Sequence, residues 1–255
     1  MKNEGWIDAH VHIWPENEKS NPRRFTAAEL LAHARANGVG RIVLIQPGMY
    51  RFDNSYMLDA IRRYKGVFSG VAVVETAAGI AKMKGAGVRG FRVTSGFETG
   101  GMRDMWRAAG EQRLAMCPLI NPAAFEAVGK LCAEFPQTRV VIDHLGRIGA
   151  DGQIRETDVA SLCALARHKG VHVKVSAFYA LGKKQPPYDD LAPLIKRVFE
   201  SFGAQRLMWA TDGPYQTLRP HTYAASLELV RDRLDFLHRE DRDWILRGTA
   251  ERVFF

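Results

Sequence analysis

Cysteine is scarce in this chain: Cys117, Cys132 and Cys163 are the only three in 255 residues, odd in number and widely spaced. A protein of this size needs no staples, so the pattern argues against a disulfide framework or a zinc ribbon and for reduced thiols in a cytosolic compartment. Long apolar runs are missing too. No segment reaches the ~18 uninterrupted apolar residues of a membrane span. Met1 to Trp6 carries no apolar stretch behind Lys2, so neither an anchor nor a secretory leader is expected. There is no Pro/Gly/Ser-rich linker, no break in composition, no Walker loop and no Gly-x-Ser-x-Gly elbow.

What remains is material for a large buried core. Hydrophobic residues make up 46% and charged residues 25%, which excludes disorder, collagen and coiled coil. The formal net charge of +8 serves solubility first, and it would also suit an anionic substrate or an acidic partner.

Short β-branched runs alternate with segments of helical period from residue 6 to the C-terminus, the rhythm of βα units around a parallel sheet. Strands are predicted at Trp6 to Trp14, Arg41 to Gln46, Val67 to Glu75, Val88 to Ser95, Ala115 to Asn121, Arg139 to Gly146, Val171 to Ala177 and Arg206 to Asp212. Helices are predicted at Thr26 to Asn37, Asn54 to Tyr64, Met102 to Arg113, Pro122 to Glu134, Arg155 to Lys169, Tyr188 to Phe202 and Tyr223 to Phe236, with a short one at Gly79 to Lys84. Asn54 is expected to cap its helix, and Gly38 and Gly66 to stop theirs. Eight strands with helical crossovers and no linker favour one closed (β/α)8 TIM barrel over an open Rossmann-type sheet. That is an α/β fold with a single domain over residues 1–255. Its catalytic groups should stand at the C-terminal strand ends, where the βα loops converge.

The polar residues fit that expectation. In Ile7-Asp8-Ala9-His10-Val11-His12-Ile13-Trp14, alternation puts Asp8, His10 and His12 on one face and Ile7, Val11 and Ile13 on the other. The sixth strand, Arg139-Val140-Val141-Ile142-Asp143-His144, ends in two ionisable groups of opposite direction. His144 shares a face with Val140 and Ile142 and is expected to look inward, with Asp143 capping the following turn. The eighth, Leu207-Met208-Trp209-Ala210-Thr211-Asp212, delivers a carboxylate ahead of Gly213-Pro214. Closing a barrel sets strands one and eight side by side, so His10, His12, His144 and Asp212 would converge.

With these pieces in hand the chain resembles the amidohydrolase superfamily, in particular the amidohydrolase-related branch containing 2-pyrone-4,6-dicarboxylate hydrolases and sugar-acid lactonases. The matching segments are Asp8-Ala9-His10-Val11-His12, Val141-Ile142-Asp143-His144-Leu145-Gly146-Arg147, Met208-Trp209-Ala210-Thr211-Asp212-Gly213-Pro214 and Ile245-Leu246-Arg247-Gly248-Thr249-Ala250. The resemblance implies a lactonase, a hydrolase of a cyclic ester in a carboxylate-bearing sugar acid or aromatic-degradation intermediate. A metal-dependent decarboxylase, a sugar-lactone isomerase and a non-enzymatic binding barrel are the alternatives. Metal-dependent members offer Lys or Glu at strand four and His at strand five, where this chain has Val93-Thr94-Ser95 and Leu119-Ile120-Asn121. A bridging ligand for two metals is therefore missing. His10, His12, His144 and Asp212 would suit a single Zn²⁺ or Mn²⁺, and metal-free lactonases occur in the branch as well.

Ring opening needs a base for water, a positive group at the carbonyl oxygen and a proton for the departing alkoxide. Asp212 is the expected base, with His10, His12 and His144 polarising the carbonyl directly or through the ion. Arg92 and Arg147 are expected to hold a substrate carboxylate, and Gln46, Tyr50 and Tyr179 are further binding candidates. Pyrone-dicarboxylate hydrolases carry additional arginines after strands four and seven. This chain has Glu98 in the first place and Ala180 with Lys183 and Lys184 in the second, so a different lactone is expected. Gly85-Ala86-Gly87-Val88-Arg89-Gly90 matches Gly-x-Gly-x-x-Gly by letter, but a helix precedes it and a strand follows, the reverse of a dinucleotide site. His33, His168, His172, His221 and His238 are expected to be structural or solvated. Arg231 to Arg252 alternates with acids and reads as a solvated helix face. No basic patch free of acids with stacking aromatics points to nucleic acid. Pairing of barrels is left open.

Overall fold

The computed structural model describes residues 5–18, 24–83 and 85–255. Eight strands form one sheet in sequential order: β1 (Trp6–Val11), β2 (Val39–Ile45), β3 (Phe68–Ala72), β4 (Val88–Val93), β5 (Ala115–Pro118), β6 (Arg139–Ile142), β7 (Val171–Val175) and β8 (Leu207–Trp209). Every neighbouring pair is parallel. The seam between β8 and β1 is closed just beyond β8, where Val11 bridges Gly213. There Asp212 N–H donates to the His10 carbonyl at 2.9 Å, and His12 N–H donates to the Gly213 carbonyl at 2.9 Å. The architecture is the (β/α)8 barrel expected from the alternating pattern.

Two apolar layers follow from the strand period of two. Ile42, Leu44, Val140, Ile142, Val171, Val173 and Val175 face the helices. Val43, Ile45, Ala115, Cys117, Val141 and Met208 fill the barrel interior. At about 25 cal/mol per Å² of apolar surface removed from water, these two layers supply the main favourable contribution to folding.

All eight predicted strands are found, though most end early because the chain leaves the sheet to make βα loops. Helices begin and end for local reasons. Thr26 Oγ1 accepts the Glu29 amide at 3.2 Å while Glu29 returns a bond to the Thr26 amide at 2.8 Å, a reciprocal cap on Ala27–Ala36. Asn54 does not cap Ser55–Arg63 as expected. Its side chain bonds the Val73 amide and carbonyl at 3.0 and 2.9 Å, and Asp53 takes the Ser55 amide instead. The short helix expected at Gly79 to Lys84 runs from Ala77–Lys82, and Lys84 lies outside the described residues, as do Met1 to Glu4 of the leader reading.

The C-terminal segment departs most. Rather than one solvated face, it breaks into Arg239–Asp243, a wide turn at Trp244–Gly248 and the helix Thr249–Phe254. Ala250, Val253 and Phe254 are buried with Ile7 and Met208 and close the N-terminal end of the barrel. No helix among the described residues is long and apolar enough to cross a membrane.

Candidate active site

At the C-terminal end the barrel opens into a cavity of about 390 Å³, lined among others by His12, Arg92, His144, Arg147, Tyr179 and Asp212. Local backbone irregularities decide what reaches it. On β1 the pairing register shifts between Asp8 and Val11, so the simple alternation fails. Ile7 and Ala9 join the interior layer, Val11 and Ile13 the outer one, and His10 and His12 face the centre. Asp8 is separated from the two histidines. Its carboxylate takes the Thr211 hydroxyl and amide at 2.6 and 3.0 Å, the Tyr223 hydroxyl at 2.7 Å and the His10 amide at 3.2 Å. Burial raises Asp8 to about 6 against those four bonds.

The expectation for β6 is reversed. Val140 and Ile142 belong to the helix-facing layer and Val141 to the interior, so alternation sends Asp143 inward, and it caps nothing. His144 reaches the cavity by another route: its φ of +54° turns the chain, and its Nδ1 lies 2.8 Å from Ser176 Oγ. Leu145, Arg147, Ala177 and Asp212 share this left-handed conformation, which costs non-glycine residues energy and clusters at functional rims. Gly146, at φ +61°, packs so closely on Phe125 that any Cβ would collide with the ring.

Asp212 is the hub. Its Oδ1 lies 3.4 Å from His10 Nε2 and 3.3 Å from His12 Nε2, its Oδ2 lies 3.8 Å from His144 Nε2, and the Tyr179 hydroxyl donates to Oδ2 at 2.6 Å. The His10 ring is 4.4 Å from that of His144 and 5.1 Å from that of His12, centre to centre. The four expected groups therefore converge. Burial pushes the Asp212 carboxyl up, but His144, His12 and His10 outweigh it and hold it below the usual carboxylate range. Burial, together with Asp212, keeps the Tyr179 phenol protonated. Burial also lowers His144, so its imidazole is neutral near pH 7.

Beneath the histidines lies a buried ion network that the sequence reading missed. Lys174 Nζ stands 3.0 Å from Asp143 Oδ1 and 3.2 Å from His10 Nδ1. Arg92 contacts Asp143 Oδ2 at 3.3 Å and His10 Nε2 at 3.1 Å. Burial opposes ionisation of Asp143, yet Lys174, His10 and Arg92 keep it well below the ordinary value. Burial and Lys174 drive His10 the other way, towards neutrality. A lysine between valines in Val171-His172-Val173-Lys174-Val175, on the face opposite those valines, was the available signal.

Of the binding candidates, Arg147 is exposed at the rim, lines the cavity and makes no ion pair among the described residues. Arg92 sits on the cavity floor with its guanidinium engaged by Asp143 and His10. Tyr179 reaches the cavity through Asp212. Gln46 and Tyr50 do not reach it: the Gln46 amide donates to the Asp53 carbonyl and the Tyr50 hydroxyl to Glu18, and both line a separate small cavity. Trp14, Met49, Leu119 and Tyr215, unassigned from sequence, complete an apolar flank.

The donor set fits one cation. His12 Nδ1 donates to the Ile45 carbonyl at 2.8 Å, which leaves the Nε2 of a neutral ring as an acceptor aimed at the Asp212 carboxylate. Asp212 Oδ1 is buried without a hydrogen-bond partner. Two facing acceptors call for a proton or a metal between them, and His10, His12 and Asp212 offer ligand atoms within 4.8 Å of one another.

Known proteins share this arrangement's scaffold. A 2-pyrone-4,6-dicarbaxylate hydrolase of Comamonas testosteroni is 31% identical over 244 residues, covering 85% of this chain and 79% of the relative. An L-fucono-1,5-lactonase of Burkholderia ambifaria is 26% identical over 270 residues, covering 96% and 93%. The solved structure of a candidate 2-pyrone-4,6-dicarboxylic acid hydrolase from Pseudomonas putida superposes with a TM-score of 0.86 at 26% identity, covering 98% of this chain and 97% of the other. The amidohydrolase family model matches residues 7–255, from the strand that carries both histidines to the helix that closes the barrel, and the chain belongs to that family.

Proposed function

We propose that the protein is a lactonase: it opens the ring of a small lactone bearing a carboxylate. The observation that carries the reading is the ionised Asp212, held by Tyr179 among three imidazoles at the open end of a cavity sized for one small ring. Relatives named as hydrolases of pyrone, sugar-acid and sulfomuconolactone rings support it.

In this mechanism Asp212 takes a proton from water and the hydroxide adds to the ring carbonyl carbon. His144, whose Nε2 carries the ring proton when Nδ1 accepts from the Ser176 hydroxyl, faces the carbonyl oxygen as it gains charge, while His10 is oriented from below by Lys174 and Arg92. Collapse of the tetrahedral adduct breaks the ring C–O bond. Asp212 then returns its proton to the departing alkoxide, leaving a hydroxy acid. Tyr179 fixes the Asp212 rotamer, and Arg147 holds the carboxylate that the substrate already carries. A Zn²⁺ or Mn²⁺ ion held by His10, His12 and Asp212, with His144 beside it, would supply Lewis acidity at the carbonyl oxygen.

The test is a panel of sugar-acid and unsaturated ring lactones followed by proton release, with and without chelator. Ring opening by at least one anionic lactone is expected, and loss with chelator followed by rescue with Zn²⁺ or Mn²⁺ would assign the ion. Release of CO₂ or isomerisation without proton release would overturn the reading in favour of a decarboxylase or an isomerase.

A further inference from the structure

The opposite, N-terminal end of the barrel carries a groove of about 1010 Å³ that the chemistry above does not use. Arg113, Arg139, Lys169, His172, Arg206 and Arg252 line it, against two acids, Glu240 and Asp241. None of the five cations forms an ion pair among the described residues. Asp241 is already engaged, accepting the His238 amide at 2.9 Å.

The cations differ in what they have left to offer. Arg206 is used structurally, donating to the carbonyls of Phe202, Ala166, His168 and Ser201 at 2.9, 2.8, 3.3 and 3.4 Å. Arg139 is half-buried and gives one N–H to the Val253 carbonyl at 3.4 Å, and Arg252 gives one to the Gln205 carbonyl. Since a guanidinium has five donors, most of both forks stays available. Burial and the nearby Arg252 press Arg139 below the ordinary arginine range. His172 Nδ1 lies 3.0 Å from the Gly170 carbonyl, and burial with the three surrounding arginines keeps the ring uncharged. Five cations thus face two acids here with no ion pair between them among the described residues, a net positive charge that an oxyanion relieves.

We propose that this groove binds a compact polyanion of the phosphate class, its oxygens on the forks of Arg139 and Arg252 with Lys169 and Arg113 at the rim. Planar forks match phosphate oxygens two at a time, and Lys169 adds a mobile point charge. Arg139 and His172 stand at the starts of β6 and β7, away from the active-site cavity at the other end, and the groove shares no lining residue with that cavity, so occupancy is read by binding rather than by activity.

The experiment is calorimetric titration of pyrophosphate into the full chain, with the fluorescence of Trp244, which lies 5.3 Å beneath Arg252, as second readout. One site is expected, weakened by salt. Arg252→Glu and Lys169→Glu, both at exposed positions, should each weaken it about tenfold. Arg62→Glu makes the same change in net charge on the distant helix Ser55–Arg63 and should leave binding unchanged. Absence of binding at millimolar pyrophosphate, equal weakening by Arg62→Glu, or parental affinity in both groove variants would overturn the proposal. ATP binding more tightly than pyrophosphate would identify a nucleotide as the source, and equal binding would identify the phosphates alone; both uphold it. Citrate binding more tightly than either would overturn the phosphate assignment.

Discussion

Lys174 is the residue whose removal tests most of the physical reasoning at once. Its ammonium is fully buried, 3.0 Å from Asp143 and 3.2 Å from His10. Lys174→Met keeps the length and apolar stem but leaves Asp143 with Arg92 as its one fixed counter-charge. Breaking one partner out of a buried ion pair costs about 3 to 5 kcal/mol, because the other charge stays desolvated. Total stability is about 5 to 15 kcal/mol, so the variant should fold. At about 2 to 4 °C per kcal/mol for a chain of this size, its Tm should fall by about 6 to 20 °C. Asp143→Asn alone should also destabilise, whereas the double variant should lose less than the sum of the two. Thermal and urea unfolding of the four proteins measure this. A Lys174→Met protein that melts with its parent, or strictly additive losses, would show that the network does not hold the barrel interior together.

Arg147→Gln should raise KM about 10- to 100-fold for an anionic lactone with little change in kcat, since it removes one charge-assisted contact; a neutral lactone is the control. His172 is held at about 4 against an ordinary 6.5. The unfolded chain therefore takes up the proton first, and stability is lost as pH falls through that window, up to about 3 kcal/mol. His172→Leu should flatten the dependence between pH 6.5 and 4 in urea titrations. Asp8 has the opposite sign: raised to about 6, it is protonated in the fold before it would be in the unfolded chain. Thr211→Val removes the 2.6 Å bond to that carboxylate and should cost about 2 kcal/mol at pH 7 but less at pH 5, where Asp8 carries its own proton.

The barrel was legible because alternating β-branched and helical periods mark each βα unit, and the ends of the first, sixth and eighth strands bear the polar groups that converge. What alternation could not supply was the inside of the barrel. Both faces of a buried parallel strand are apolar, so Val140 and Ile142 do not declare whether they meet helices or the interior, and the inward direction of Asp143 is not legible from alternation. On β1 the register shift between Asp8 and Val11 changes faces without a sequence signal that separates it from regular alternation. Convergence of His10, His12, His144 and Asp212 survived these errors, because left-handed turns at His144 and Asp212 bring both side chains to the rim. Lys174 was legible in principle: a charge amid valines has to find a buried partner. The closing of the barrel floor by Val253 and Phe254 was hidden behind the charged residues that precede them.

The most direct measurement is the rate of lactone opening by Asp212→Asn against the parent, using whichever panel substrate is turned over, with the fold of the variant verified by circular dichroism. The amide cannot accept the water proton, so kcat should fall about 10²- to 10⁴-fold while KM stays within a few-fold. A variant that keeps a tenth or more of the parental kcat would contradict the assignment of Asp212 as the base.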